Sequence, residues 1–182
     1  TTGGNNNFDA EILNDCLNGL LTSENDYTEW VLELAKIKDP KTGQTTNEFP
    51  LKVIARPATK NDKEYNIVRV KERPNPKFKD LDIGGIDSYN QDKSVSSDSL
   101  GAMYVGRRKD SWIGYQGHDK GIIPIAEYYC LPPRKEIFFE NCLKLAVWYN
   151  LVSNTMISAE YDNIINFFKE NGGRKYLALR PR

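Results

Sequence analysis

The sequence predicts an α/β class fold, an α+β domain with a mixed sheet beside an N-terminal helix and a small β-rich appendage, and three observations lead to it. Residues 81–87, 100–108 and 121–129 are short apolar runs, each bounded by Gly, Ser, Asn or Asp, the punctuation expected of neighbouring antiparallel strands. Residues 134–151 then carry Ile137/Phe138, Cys142, Leu145/Ala146 and Tyr149 at steps of three and four, the spacing of one buried helix face. A fourth run, Thr155 to Glu160, follows directly. A strand, helix, strand crossover of that length makes a parallel pairing.

The remaining elements follow in chain order. Thr1 to Asn7 is polar and rich in Gly and Asn, and Asp9 to Leu21 reads as a short helix with Asp9 as N-cap and Ile12, Leu13, Cys16, Leu17 and Leu20 on one stripe. Between Tyr27 and Lys38 the apolar spacing suits either a strand or a helix. The turn chemistry of Asp39-Pro40-Lys41-Thr42-Gly43-Gln44 before the run Leu51 to Ala55 favours a β-hairpin. A third strand is expected from Tyr65 to Lys71, with Arg73-Pro74-Asn75-Pro76 as an exit linker. Beyond the fourth run, Asp162 or Asn163 caps a helix through Lys169 that stops at Gly172-Gly173, and Tyr176 to Leu179 begins a fifth strand. The expected organisation is a linker and helix at 1–23, a small β-rich appendage and linker at 24–77, and the main domain at 78–182.

With 182 residues and 39% hydrophobic content the chain holds one good core and a small second lobe. Lys+Arg and Asp+Glu both number 25, so a nucleic-acid partner has to be argued from local patches rather than net charge. Three cysteines without CxxC spacing point away from a disulfide framework or a zinc site and suit a reducing compartment. No membrane-length apolar run and no signal-peptide pattern is present, so a cytoplasmic protein is expected. The first residue is not Met, and the chain reads as a piece of something longer.

The chemistry centres on the stretch Gly84-Gly85-Ile86-Asp87-Ser88-Tyr89, an apolar run that delivers a carboxylate at its end. The run Met156 to Glu160 does the same. If the fourth strand lies beside the first, Asp87 and Glu160 share the carboxyl edge of the sheet, where ligands of such open sheets commonly bind. Paired carboxylates suit Mg²⁺ or Mn²⁺, and two such ions suit phosphodiester hydrolysis. The plainer reading is that Asp87 caps a turn and Glu160 begins a loop. Asp92 is a further candidate ligand, although it and Asp98 also read as solvated turn residues. His118 is the only histidine, which excludes His-pair zinc sites, and no GxxxxGK[ST] motif occurs. Arg107-Arg108-Lys109, Arg134-Lys135 and Arg174-Lys175 are basic clusters at element ends that could meet phosphates or simply face solvent.

Gly85-Ile86-Asp87-Ser88-Tyr89 with Gln91-Asp92, Ser99-Leu100-Gly101-Ala102, Glu127-Tyr128-Tyr129 before Pro132-Pro133, Trp148-Tyr149-Asn150, and Glu160-Tyr161-Asp162-Asn163 follow one another along the chain. Their order resembles the C-terminal nuclease domain of the large terminase subunit of tailed bacteriophages. The resemblance covers roughly residues 78–182, and Asn7-Phe8-Asp9 resembles the junction between that family's ATPase and nuclease parts. It implies an RNase H-like fold: three antiparallel strands, a crossover helix, then parallel strands. It also implies an endonuclease that cuts concatemeric duplex DNA during viral packaging, using two divalent metal ions, Mg²⁺ or Mn²⁺. Asp87 matches the first-strand aspartate and Glu160 the acid that closes the fourth strand. Portal and small terminase subunit are the implied partners of the full-length protein.

The chain departs from that family in two ways. It stops after the fifth strand, before the element that carries the family's third acid, and it lacks the Walker motifs of the ATPase motor. A truncated RNase H-like domain is therefore expected, with little or no cleavage if the chain truly ends at Arg182. The competing expectation is a non-catalytic docking module of the packaging motor, and a third is another RNase H-like nuclease.

Overall fold

The computed structural model describes residues 27–76, 82–88, 100–108, 122–157 and 162–178. The helix expected at 9–21 lies outside these residues, as do Asp92, Asp98, Lys109, His118 and Glu160.

Nine strands are present among the described residues: β1 Thr28–Leu34, β2 Lys36–Lys38, β3 Thr45–Asn47, β4 Val53–Pro57, β5 Ile67–Val70, β6 Asp82–Asp87, β7 Gly101–Arg108, β8 Ile122–Cys130 and β9 Thr155–Ile157. Helix α1 spans Lys135–Trp148 and α2 spans Asp162–Glu170. Seven strands form one mixed sheet in the order β4-β1-β5-β8-β7-β6-β9, and β2 and β3 make a separate ribbon. The ribbon is closed by the Asp39 turn, and β1 pairs antiparallel with β4, as the hairpin reading requires.

Two features of the sheet differ from the sequence expectation. The strands of residues 24–77 do not stand apart: β5 pairs with β8 through Arg69↔Glu127 and Val70↔Ala126, so the boundary expected near residue 77 does not divide the sheet. Among the described residues the fifth strand is one parallel bridge, Leu177 to Thr155, because Arg174–Tyr176 winds into a 3₁₀ turn first. A similar turn at Glu64–Asn66 delays β5 to Ile67.

Strand alternation splits the sheet into two faces. Val70, Ala126, Val105, Gly84 and Thr155 form one continuous row across five strands, and all are buried. The next row, on the opposite face, runs Glu29, Arg69, Glu127, Tyr104, Gly85, Met156. Helix α1 lies on the first face, where Phe138 stacks on Tyr128 with ring centroids 5.5 Å apart. It is buried on more than the one stripe the sequence suggests, because Phe139 and Leu143 meet α2 and the glycine that follows it. Asn141 is its one buried amide, donating to the Tyr65 carbonyl and to the Tyr128 hydroxyl, each at 3.0 Å. Those bonds meet the cost of burying a polar group.

Both helices end in the same way. Leu151 N–H reaches the Ala146 carbonyl and Asn150 N–H the Val147 carbonyl, with Asn150 in the left-handed region at φ 52°. Gly172, at φ 75°, plays that part after α2, where Gly173 N–H bonds the Phe168 carbonyl. This paired closure satisfies carbonyls that the last turn leaves without partners. After α1 it also turns Leu151, fully buried, under Gly84 of β6: a Cβ on Gly84 would lie 2.8 Å from Leu151 Cδ1. The missing side chain thus lets the helix end dock against the strand that carries Asp87.

Away from the core, Arg56 in β4 clamps Asp62 through Nη2 to Oδ1 at 2.6 Å and Nη1 to Oδ2 at 2.8 Å, and Thr59 donates its N–H and hydroxyl to the same carboxylate. The Arg56 hydrogen bonds first, then those of Thr59, hold the Asp62 carboxyl far below its ordinary value of 3.8. A depressed folded-state pKa stabilises the fold fully above the unfolded value and loses that contribution as the pH falls below it. Asp62→Asn is accordingly expected to flatten the fall in thermal midpoint below about pH 4, the range in which an ordinary carboxylate protonates. An unchanged acid limb in a pH series of melting curves would rule this out.

Candidate functional site

Strand β6 runs from the buried Asp82 to the exposed Asp87 with alternating burial, which puts Asp87 and Gly85 on the open face and Ile86 in the core. Asp87 pairs across β7 with Ala102, itself opposite Tyr129. On the other side β9 runs parallel to β6 in the register Gly84↔Thr155, Gly85↔Met156, Ile86↔Ile157. The crossover from β8 through α1 to β9 therefore produces the parallel pairing the sequence implies. Both strands point their carboxyl ends at the same edge.

At that edge an open depression of about 380 Å³ is lined by Gly85, Ile86, Asp87, Tyr104, Met156 and Ile157. Among the described residues its walls are mostly apolar, with Asp87 as the one carboxylate. Tyr104 and Met156, about half exposed, stand on either side of Gly85 in one cross-strand row.

The open face continues into a charged and aromatic cluster. Arg69 Nη1 lies 2.7 Å from Glu127 Oε1 and donates to the Tyr129 hydroxyl at 3.1 Å, and its guanidinium sits 5.1 Å over the Tyr27 ring. Burial, then the Glu127 charge, raises the Tyr104 phenol above its ordinary value, so it stays protonated and able to donate. Tyr27 is raised for the same leading reason.

The basic residues separate by edge. Arg134 and Lys135 open α1, four and five residues past the end of β8, on the Asp87 side of the sheet. Arg108 ends β7 opposite Ile122, at the far edge, and Arg174 and Lys175 lie in the 3₁₀ turn that leads to the start of β9. Arg107 behaves differently from the rest of its run. It is 4% exposed, its Nε and Nη2 bond the two oxygens of Asp82 at 2.8 and 3.2 Å, and its Nη1 meets Glu72 Oε2 at 2.5 Å. Its charge is committed inside the fold, which corrects its reading as a phosphate contact.

Of the carboxylates singled out in the sequence, Asp87 is the one among the described residues; Glu160 and Asp92 lie outside them. Among the described residues no group of three or more His, Cys, Asp or Glu side chains could hold a metal ion. Tyr104, Met156 and the Arg69 cluster escaped the sequence reading. The signal was available as parity, because Tyr104 alternates with Met103 and Val105, both fully buried. In comparisons with known proteins, no family model, no curated protein and no solved structure matches this chain.

Proposed function

We propose that this chain is the metal-dependent endonuclease domain of a viral DNA-packaging terminase, hydrolysing phosphodiester bonds of concatemeric duplex DNA in the host cytoplasm. The observation that supports this most is the strand order β8-β7-β6-β9, antiparallel through β6 and then parallel from β6 to β9, with Leu177 adding a further parallel bridge. Three antiparallel strands, a crossover helix and parallel strands are what an RNase H-like core requires. In that arrangement Asp87 closes the first strand, and β9 ends at Ile157, three residues before Glu160 in the chain.

The donors named fit hard cations, since carboxylate oxygens are the ligands Mg²⁺ and Mn²⁺ prefer. Two divalent ions held there supply a polarised water and offset the charge that develops on the phosphate. The chain's own part is positional. The β6–β9 pairing fixes the edge, Asp87 and Glu160 hold the ions with Asp92 as a candidate helper, and Arg134 and Lys135 offer cations to the DNA backbone on the same side. Arg108, Lys109, Arg174 and Lys175 are further proposed backbone contacts on a longer DNA path. Portal and small terminase subunit are the proposed partners of the whole packaging protein.

The test is a thermal melt of the purified chain with Mn²⁺, Mg²⁺ or EDTA, beside nicking of supercoiled plasmid. A midpoint raised by Mn²⁺ is expected, with at most weak nicking above the EDTA control. A chain indifferent to both metals in both assays would overturn the reading.

A further inference from the structure

The two adjacent glycines of β6 are glycines for different reasons. Gly84 faces the core, where an added Cβ would meet Leu151 at 2.8 Å and Met103 Cε at 3.3 Å. Packing accounts for it. Gly85 faces the open side, where an added Cβ would meet no described residue within 4 Å, and its φ lies outside the left-handed region. Neither close packing nor backbone conformation requires a glycine there. A glycine inside a strand weakens it, through chain entropy and the lack of a side chain to pack, and often marks a place where a ligand or another backbone approaches closely.

The surroundings of Gly85 say what kind of ligand. Tyr104 and Met156 flank it in register on the neighbouring strands, 49% and 55% exposed, and Asp87 lies two residues on along the same face. Strand spacing separates the two flanking backbones by roughly 10 Å, leaving a slot with a bare peptide floor. The slot has apolar walls, a phenol that stays protonated, and a carboxylate at one end. A deoxyribose offers a C–H face with a phosphate at its edge: the apolar walls suit the first, and the protonated Tyr104 hydroxyl is a donor for the second.

We propose that Gly85 is the floor on which the sugar beside the scissile phosphate rests, with Tyr104 and Met156 as its walls. This makes Gly85 and Tyr104 substrate-positioning residues of the Asp87 site. The proposal rests on the nuclease reading and adds the path of the DNA strand across the sheet face. A valine at position 85 fills the slot without touching the core.

The experiment compares wild type, Gly85→Ala, Gly85→Val and Tyr104→Ala by thermal midpoint and by fluorescence anisotropy of a short labelled DNA duplex, in EDTA and in Ca²⁺. Gly85→Ala is expected to keep or raise the thermal midpoint. Gly85→Val is expected to weaken duplex binding about tenfold or more, with Gly85→Ala and Tyr104→Ala in between. A lower midpoint for Gly85→Ala would make the glycine a packing residue and overturn the proposal. Wild-type binding by Gly85→Val, or no duplex binding by wild type, would overturn it too. If wild type ignores Mn²⁺ and Mg²⁺ in melting and nicking while Gly85→Val still loses duplex binding, the nuclease reading fails and the strand contact stands.

Discussion

Arg107→Met is expected to destabilise the protein by about 3–5 kcal/mol, the cost of removing one partner from a buried ion pair. Arg107 and Asp82 are cross-strand partners in β7 and β6, 4% and 6% exposed, joined by two hydrogen bonds. With the guanidinium gone, Asp82 is left as a buried carboxylate without its partner. Glu72 loses its bond as well, and with it a tie between the end of β5 and the start of β6. The Tyr149 hydroxyl, donating to the Glu72 carbonyl at 2.6 Å, carries that tie into the end of α1. Urea denaturation of Arg107→Met, Asp82→Asn and the double variant measures the coupling. The double variant should cost clearly less than the sum of the singles, because the second change removes the group the first left unpaired. Strict additivity, or a loss below about 1 kcal/mol for Arg107→Met, is what a solvated surface arginine would give.

Arg107 also shows where the sequence could be read and where it could not. As part of a run of three bases it reads as a phosphate contact or a solvated face. Strand parity contains the opposite signal: Met103 and Val105 are core residues, so 107 falls on the buried face, as Asp82 does with Gly84 and Ile86 in β6. Two opposite charges of matching inward parity on neighbouring strands are a legible ion pair once the pairing is known. The pairing of β6 with β7 and of β7 with β8, and the parallel addition of β9, followed from element order and loop length. The union of β5 with β8 did not. It rests on Arg69↔Glu127 and Val70↔Ala126, partners far apart in the chain, and each segment taken alone reads equally well as the edge of its own sheet.

Among the candidate site residues the same division holds. Asp87 was legible because an acid closing an apolar run before a turn is a local pattern. The slot beside it was not, since it depends on Tyr104 and Met156 flanking Gly85 across three strands. The Gly84-Gly85 pair reads in sequence as one flexible spot. Only the neighbours of each Cβ position tell the packing glycine from the open one.

Asp87→Asn should remove the response to metal and leave the fold intact. Asp87 is exposed at the end of β6, and the amide keeps the size of the carboxylate, so the thermal midpoint in EDTA is expected to stay near that of wild type. In Mn²⁺ the two proteins should part. A ligand at roughly a hundred times its dissociation constant adds about 2.7 kcal/mol to the stability of the protein that binds it. A neutral amide gives the hard ion a weaker ligand, so much of that gain should disappear. Whatever nicking the wild type shows should fall to the EDTA background, since losing one group that stabilises transition-state charge costs about two orders of magnitude in rate. Glu160→Gln is expected to do the same. The stronger check is the double variant: if both acids serve one pair of ions, the second substitution should add little to the first, because groups that act as a unit are non-additive. Multiplicative losses would mean that Asp87 and Glu160 act separately. A full Mn²⁺ response in Asp87→Asn would make Asp87 only the residue that ends β6.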